Sequence, residues 1–144
     1  MARLIDRFTA GLHGEDLVPV ARLVGFRPTS IERGTAVFEL AAGPQHANPM
    51  GTLHGGIICD VADAAMGTAY ASLLDDGETF TTLEMKINFL RPFWSGTLVA
   101  TARVVKSGRI IGLTECDVTD AEARLVARAM STCMMLRGEA SAGR

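Results

Sequence analysis

The chain has 144 residues, of which 48% are hydrophobic and 21% are charged, and its formal net charge at pH 7 is −2. These values predict one folded domain over residues 1–144 and exclude a disordered chain or a strongly basic nucleic-acid-binding protein. The three cysteines lie far apart without a CxxC pair, and the N-terminus has no apolar leader segment. We therefore expect reduced thiols and a cytoplasmic location.

Short secondary-structure elements are predicted in the first third of the chain. Residues 1–14 are expected to form a loosely ordered arm, and Glu15–Val24 a short helix if Pro19 falls in its first turn. Gly25–Ile31 and Thr35–Leu40 then read as two strands of a hairpin, because apolar and polar residues alternate in the second of them.

One long helix is predicted in the middle of the chain. Ala41–Leu53 contains too many glycine and proline residues for a regular element and is expected to be a loop. From Gly56 to Leu74 apolar residues cover nearly the whole helical circumference, which indicates a helix surrounded by protein. The two acids within it, Asp60 and Asp63, argue against a membrane span.

Four longer strands follow the helix, because the hydrophobic period changes from 3.6 to 2. The predicted segments are Thr79–Phe89, Thr97–Val105, Arg109–Val118 and Arg124–Leu136. In the first of them, Leu83 is expected on one face with Met85, and Thr82 on the other face with Glu84. The tail 138–144 is expected to be loosely ordered. These elements predict an α+β fold with an antiparallel sheet of five or six strands wrapped around one central helix.

Common cofactor and metal motifs are missing from the sequence. It contains no GxGxxG, GxxxxGK[ST], HExxH or GxSxG segment, and His13, His46 and His54 lack the spacing of metal ligands. We therefore expect neither a metal nor a redox cofactor.

The glycine pair Gly55-Gly56 stands where the loop becomes the helix. Backbone N–H groups at a helix start lie at the positive end of the helix dipole, and glycine leaves them accessible. Such a group can bind a carbonyl oxygen as it becomes an oxyanion. The alternative is a tight turn at the start of a helix without further function.

Asp63 lies eight residues after Gly55, so the two are displaced by roughly 12 Å along a helix axis. One chain cannot bring both groups to one reacting atom. If they cooperate, they must come from two subunits of a symmetric dimer. The carboxylate could then act as a general base or as a nucleophile. The alternatives are that Asp63 is bound by backbone N–H groups or an arginine, and that Asp60 merely suits the first turns of a helix.

The segment from Asn48 to Gly56, the acid nine residues after His54, and Phe89-Leu90-Arg91-Pro92 after a strand form a recognisable combination. It resembles the hotdog-fold acyl-CoA thioesterases, and most closely the phenylacetate-degradation and 4-hydroxybenzoyl-CoA thioesterase group. The resemblance covers about residues 15–137. It implies a sheet wrapped around a long helix, paired into dimers and commonly tetramers.

The resemblance also implies catalytic roles. By position, Asp63 would be the catalytic carboxylate and the Gly55 N–H the donor to the thioester carbonyl. Asn48 would hydrogen-bond near the thioester or the water, and His54 would hold the loop. Thr82 would supply a strand hydroxyl, unless it is simply a β-forming residue. The chain departs from the family where some members have a hydroxyl residue one turn after the acid, because Gly67 stands there, followed by Thr68.

Substrate contacts are implied for a further set of residues. Gly56, Thr81 and Leu83 are expected near the substrate. The cations Arg91, Lys106 and Arg109 are candidates for the coenzyme A phosphates, although solvated charge in a surface turn is the alternative for the last two. Walls of the acyl pocket are expected from apolar residues with large side chains, namely Met66, Tyr70, Phe80, Phe93 and Trp94.

The predicted function is hydrolysis of an aromatic or medium-chain acyl-CoA to the free acid and coenzyme A. A homodimer would be required for the site, and a homotetramer is expected. No nucleic-acid or membrane partner is expected. The alternatives are a non-catalytic acyl-CoA-binding module and a hotdog enoyl-CoA hydratase, although hydratases of this kind tend to use a histidine where this helix offers Asp63.

Overall fold

A long helix lies against one face of a six-stranded antiparallel sheet. The computed structural model describes residues 4–14 and 18–143. The helices are α1 (Leu4–Thr9), α2 (Pro19–Val24) and α3 (Gly55–Ala71). The strands are β1 (Phe26–Glu32), β2 (Thr35–Ala42), β3 (Thr79–Phe89), β4 (Gly96–Ser107), β5 (Ile111–Thr119) and β6 (Leu125–Leu136). The predicted α+β architecture is confirmed, with six strands.

The sheet has the strand order β1-β2-β4-β5-β6-β3. The hairpins β1–β2, β4–β5 and β5–β6 arise from the short turns that the sequence predicts between neighbouring strands. Strand β3 instead crosses to the far side and pairs only with β6, so it forms one edge of the sheet. The helix packs mainly on β2 and β4 in the middle of the sheet.

The N-terminal segments are short helices. Helix α2 begins at Pro19, where the fixed φ of proline suits the first turn, and ends at Gly25 with a left-handed φ of 97°. The predicted start of this helix, 15–17, lies outside the described residues, as do 1–3 and 144. Within the predicted arm the chain forms α1 and a 3₁₀ turn, Ala10–His13. The predicted tail forms a 3₁₀ turn over Gly138–Ser141.

Helix α3 is buried along most of its length. Its fully covered side chains include Val61, Ala65 and Met66, all at 0% exposure, which agrees with the predicted apolar circumference. The α-helix ends at Ala71, three residues before the predicted end. The chain tightens there, because Leu73 N–H and Leu74 N–H donate to carbonyls three residues back, Tyr70 O and Ala71 O. None of the helices in the described ranges combines the length and apolarity needed to cross a bilayer.

Strand β3 contains a bulge that the alternation pattern does not predict. Thr82 pairs with Cys133, and Glu84 pairs with Thr132, the residue next to Cys133. Leu83 is therefore an extra residue in β3 that has no pairing partner in β6. The expectation that Thr82 and Glu84 share a face was therefore wrong. Thr82 lies on the same face as Cys133, towards α3, and Glu84 lies on the outer face, where it accepts a hydrogen bond from Thr132 Oγ1 at 2.8 Å.

The far end of α3 approaches the sheet closely at Gly112 of β5. A Cβ at this position would lie 2.8 Å from Cζ of Tyr70 and would overlap the ring. Tyr70 is fully buried, and its ring packs edge-on against Phe80 with centroids 5.4 Å apart. The absence of a side chain at Gly112 therefore sets the distance between helix and sheet.

The contact between Gly112 and Tyr70 can be tested by a double-mutant cycle. Gly112 does not have a positive φ, so alanine suits its backbone and only the ring opposes the added methyl. We expect Gly112→Ala to lower the free energy of unfolding by about 1–3 kcal/mol through overpacking. The loss should be clearly smaller in a Tyr70→Leu background. Urea denaturation at one fixed protein concentration measures both, and an equal loss in the two backgrounds would contradict the close contact.

Candidate functional site

The loop before α3 is held in one conformation by Asn48. The Asn48 Oδ1 accepts from Met50 N–H at 2.9 Å and from Thr52 N–H at 3.2 Å, and Asn48 Nδ2 donates to Thr52 Oγ1 at 2.8 Å. Gly51 adopts a φ of 87° in the turn between them. An amide nitrogen carries two hydrogens, so one N–H of Asn48 remains available for a ligand.

The first turn of α3 leaves one backbone donor available. His54 Nδ1 caps the helix by accepting from Gly56 N–H at 2.9 Å, and His54 O accepts from Ile57 N–H at 3.0 Å. Because Nδ1 is the acceptor, the ring of His54 carries its proton on Nε2 if it is neutral. Within the described chain, the Gly55 N–H has no acceptor. The structure thus uses the Gly56 N–H for the cap and leaves that of Gly55 for a ligand.

A second histidine fastens the loop to the rest of the fold. His46 is buried, its Nδ1 accepts from Gly43 N–H at 3.1 Å, and its Nε2 lies 2.7 Å from Val24 O. The carbonyl of Val24 can only accept, so Nε2 carries the proton. His54 N–H in turn donates to His46 O at 2.9 Å. His46 is therefore a structural residue.

An apolar cleft of about 440 Å³ opens beside Gly55. Its lining combines the Asn48 loop, the start of α3 and the segment after β3, namely Asn48, Thr52, Leu53, Gly55, Ile58 and residues 89–93. Sequence reasoning named Phe93 as a pocket wall but missed Phe89 and Ile58. The alternation in β3 places Phe89 on the face towards the helix, but only the strand order shows which end of the helix it reaches.

The exposed residues of α3 are Gly56, Asp60 and Asp63, which lie along one stripe. The described chain offers neither a hydrogen bond nor an ion pair to the carboxylates of Asp60 and Asp63. The pKa of Asp63 is raised, first because the surrounding protein desolvates its carboxylate and second because of the negative charge of Asp60. Among the described residues, neither acid is therefore bound by an arginine or by backbone N–H groups.

Thr82 and Asp63 lie on the same side of the sheet. The thiol of Cys133, which pairs with Thr82, has a raised pKa, first because of burial and further because of the charge of Asp63. Cys133 is therefore within electrostatic reach of Asp63 and adjacent to Thr82. Thr81 pairs with Met134 on the outer face, away from this group. Of the two hydroxyl candidates, Thr82 is the one that faces α3.

The region after Asp63 on α3 offers no exposed hydroxyl. Thr68 is fully buried, and its Oγ1 has no hydrogen-bond partner in the part of the chain that the structure describes. A Cβ at Gly67 would lie 3.2 Å from Cζ of Phe80, so the ring of Phe80 fills the space beside this glycine.

The candidate cations stand at opposite ends of α3. Arg91 lines the cleft beside Gly55 and also a neighbouring cleft of about 520 Å³ that contains Trp94. Lys106 and Arg109 line a smaller cleft together with Gly112, whose neighbour Tyr70 belongs to the last turn of α3. Gly55 and Tyr70 are fifteen residues apart, a separation of roughly 22 Å along the axis. One chain therefore does not bring the three cations together.

Of the five predicted pocket walls, Phe80 packs against Tyr70 and beside Gly67, and the other four fall into two groups. Met66 and Tyr70 are wrong as walls of an open pocket, because both have 0% exposure and belong to the core. Phe93 lines both the cleft beside Gly55 and the neighbouring cleft, and Trp94 lines the neighbouring cleft with 60% of its surface exposed.

Leu83, predicted near the substrate, lies in the bulge with 51% exposure. In the described ranges, no three His, Cys, Asp or Glu side chains form a possible metal-binding group.

Comparison with known proteins gives consistent matches. The family described as Thioesterase superfamily matches residues 50–127. Acyl-coenzyme A thioesterase 13 of Homo sapiens is 30% identical over 101 residues, which cover 69% of this chain and 71% of that protein. A 1,4-dihydroxy-2-naphthoyl-CoA hydrolase of Listeria monocytogenes is 29% identical over 103 residues, which cover 72% of this chain and 84% of that protein.

A solved structure supports the same assignment. The PaaI protein from the phenylacetic acid degradation operon of E. coli superposes with a TM-score of 0.81 at 26% identity, covering 93% of this chain and 94% of that one. The resemblance stated from the sequence is therefore confirmed for family and fold. The chain belongs to the thioesterase superfamily, has the hotdog fold and is a thioester hydrolase.

Proposed function

We propose that this enzyme hydrolyses an acyl-CoA thioester to the free acid and coenzyme A at a site shared by two subunits. The observation that carries the proposal is the pair of unsatisfied groups on α3. The Gly55 N–H and the Asp63 carboxylate both lack partners within the described chain, and both are open to a ligand, because Gly55 borders the cleft and Asp63 lies on the exposed stripe of the helix. A substrate carbonyl and a water are the partners that would satisfy them.

The subunit partner follows from the length of the helix. Gly55 and Asp63 are separated by about 12 Å along α3, so the two groups meet only across a two-fold axis. Among the described residues the outer edge of β3 has no pairing strand, and Leu83 and Leu90 at this edge are 51% and 58% exposed. An apolar unpaired edge of this kind favours association with another strand. We therefore expect a homodimer through this side and, as its further assembly, a homotetramer.

In the proposed mechanism the Gly55 N–H donates to the thioester carbonyl oxygen and stabilises the negative charge that develops there. Asp63 of the second subunit takes a proton from water, which attacks the carbonyl carbon, or attacks that carbon itself. The carbon–sulfur bond then breaks, and coenzyme A leaves as a thiolate that takes up a proton. Where Asp63 is the nucleophile, the acyl group remains on its carboxylate as an anhydride, which water hydrolyses to the free acid and the free Asp63 carboxylate. The spare N–H of Asn48 would orient the thioester or the water, and Thr82 would orient the water near Asp63. No metal and no redox cofactor is required by these steps.

The proposed substrate is an aromatic or medium-chain acyl-CoA. The cleft beside Gly55 is lined by Leu53, Ile58, Phe89 and Phe93 and suits an apolar acyl group. The names of the relatives, a naphthoyl-CoA hydrolase and an acyl-CoA thioesterase, support this choice. Arg91 would bind coenzyme A phosphate from the rim of the cleft, and Lys106 and Arg109 would do so from another subunit. We place this activity in the cytoplasm.

The role of Asp63 is tested by Asp63→Asn, which keeps the shape of the side chain and removes the base. We expect kcat for thiol release from acyl-CoA to fall by about 10²–10⁴-fold, with an unchanged oligomer in light scattering. Asp75→Asn, which alters an exposed acid just beyond the same helix, is the matched control and should retain wild-type turnover. Near-wild-type turnover of Asp63→Asn would refute the mechanism.

The alternative functions are tested with the wild-type protein. Screening saturated and enoyl-CoA substrates in one assay separates hydrolysis from water addition, and tight binding of acyl-CoA without any turnover would indicate a binding module.

The shared site is tested by subunit complementation. Asn48→Ala and Asp63→Ala chains are each expected to be nearly inactive as homodimers. A heterodimer of the two contains one site with both changes and one intact site, so random mixing in equal amounts should restore about a quarter of wild-type activity. Thiol release is measured after co-refolding. Activity of the mixture equal to the mean of the two parents would contradict a composite site.

The pH dependence follows from the environment of Asp63. Its pKa lies above the ordinary value of 3.8, and a general base works only when ionised, so kcat/KM should rise with pH through this raised pKa. Asp60→Asn removes a negative charge that raises this pKa, so the acidic limb should shift to lower pH. Profiles of kcat/KM between about pH 4 and pH 8 measure the shift, with Asp75→Asn as control. A profile of Asp60→Asn that superimposes on the wild type would show that Asp60 does not influence the base.

A further inference from the structure

The ring of Phe89 lies directly against the glycine that carries the free backbone donor. A Cβ placed on Gly55 would be 2.9 Å from Cζ of Phe89 and 3.3 Å from both Cε atoms. Equal distances to the two Cε atoms mean that the ring points its tip at Gly55. No other side chain is among the three atoms nearest to that position.

Phe89 reaches this place from the end of β3. It is the last residue of the strand and pairs with Ala127, which is buried on the face towards α3. Even so, 53% of Phe89 is exposed, whereas the core ring of Phe26 is 2% exposed. A ring that packs on one side and faces an open cleft on the other forms a wall rather than core filling.

We propose that Phe89 is a specificity-determining residue whose ring limits the width of the acyl group that can lie in the cleft while the thioester carbonyl binds the Gly55 N–H. This inference rests on the proposed acyl-CoA hydrolysis and adds to it a selecting residue.

A substrate carbonyl bound to the Gly55 N–H would lie beside the same residue that the Phe89 ring contacts. An oxygen bound to the Gly55 N–H lies about 2.9 Å from the nitrogen, and the Gly55 Cα is about 1.5 Å from the same nitrogen. Cζ of Phe89 lies 2.9 Å from the Cβ position on that Cα, so a bound carbonyl and the ring both border Gly55.

The chemistry of the cleft decides which of these groups meets the ring. The thiol side of the substrate continues into pantetheine, which carries two amides and a hydroxyl that need water or polar partners. The side chains of Leu53, Ile58 and Phe93 in the cleft offer none, and the polar side chains of Asn48 and Thr52 are hydrogen-bonded to each other. The acyl group is therefore the part that lies against Phe89, and pantetheine leaves towards the more polar rim at Arg91.

The same contact explains why residue 55 has no side chain. Gly55 lacks a positive φ, so the backbone would accept alanine without strain. The added methyl would instead push the Phe89 ring away, because contacts below 3.0 Å between carbons are not tolerated. Gly55 and Phe89 are thus coupled, and this coupling can be measured.

The selecting role is tested with a narrow and a wide aryl substrate, benzoyl-CoA and naphthoyl-CoA. We expect Phe89→Ala to raise the ratio of kcat/KM for naphthoyl-CoA over benzoyl-CoA by about 10-fold or more, since pocket contacts of this size discriminate by such factors. Phe89→Leu should raise it less, and it serves as the measured variant if alanine prevents folding. Met130→Ala, which shortens an exposed apolar side chain on the outer face of β6, should leave the ratio unchanged.

A second arm measures the coupling with Gly55. Gly55→Ala should lower kcat/KM for benzoyl-CoA more in the wild-type background than in the Phe89→Ala background, because the shortened side chain makes room for the methyl. An unchanged substrate ratio in both Phe89 variants, or equal effects of Gly55→Ala in both backgrounds, overturns the inference while wild-type thiol release keeps the proposed function. Absence of thiol release by the wild-type protein from every acyl-CoA overturns both.

Discussion

The capped start of α3 is the interaction on which the site depends. His54 accepts a hydrogen bond from the Gly56 N–H and fixes the loop to the helix, and the neighbouring Gly55 N–H has no acceptor among the residues that the structure describes. The same rigid helix carries Asp63 two turns further on, about 12 Å away. A helix cannot bend to bring two of its own turns together, so the donor and the acid of one chain cannot meet at one reacting atom. In the proposed mechanism, oligomer formation is therefore part of the chemistry rather than only a source of stability.

Close packing on the opposite end of the helix keeps this arrangement rigid. Tyr70 fits over Gly112 with no room for a methyl group, and alanines of β4, namely Ala100 and Ala102, are fully buried on the face towards α3. Small residues let the backbone of the sheet approach the helix, and the interior then has little freedom to shift. The polar groups on the exposed stripe of α3 are consequently held in fixed directions, which is what an active site needs.

The sequence predicts the element types well because the hydrophobic period differs clearly between the long helix and the strands on either side of it. The bounds of β3 agree with the prediction at both ends, and the helix differs by a few residues. Hydrophobic periodicity does not predict properties that depend on the tertiary structure. The edge position of β3 depends on which strand β6 pairs with, and the burial of Met66 and Tyr70 depends on how near the sheet lies. Phe89 was overlooked for the same reason, since its role depends on its contact with a residue 34 positions earlier.

The bulge at Leu83 divides one strand into two stretches with opposite phase. Before it, even-numbered residues such as Thr82 face the helix, and after it odd-numbered residues such as Phe89 do so. A single strand can in this way direct a hydroxyl towards the middle of α3 and an aromatic ring towards its start. With strict alternation, an even-numbered residue such as Thr82 and an odd-numbered one such as Phe89 would lie on opposite faces of the sheet. In the proposed dimer, one extra residue thus lets a single edge strand of 11 residues contribute side chains to two separate reaction centres.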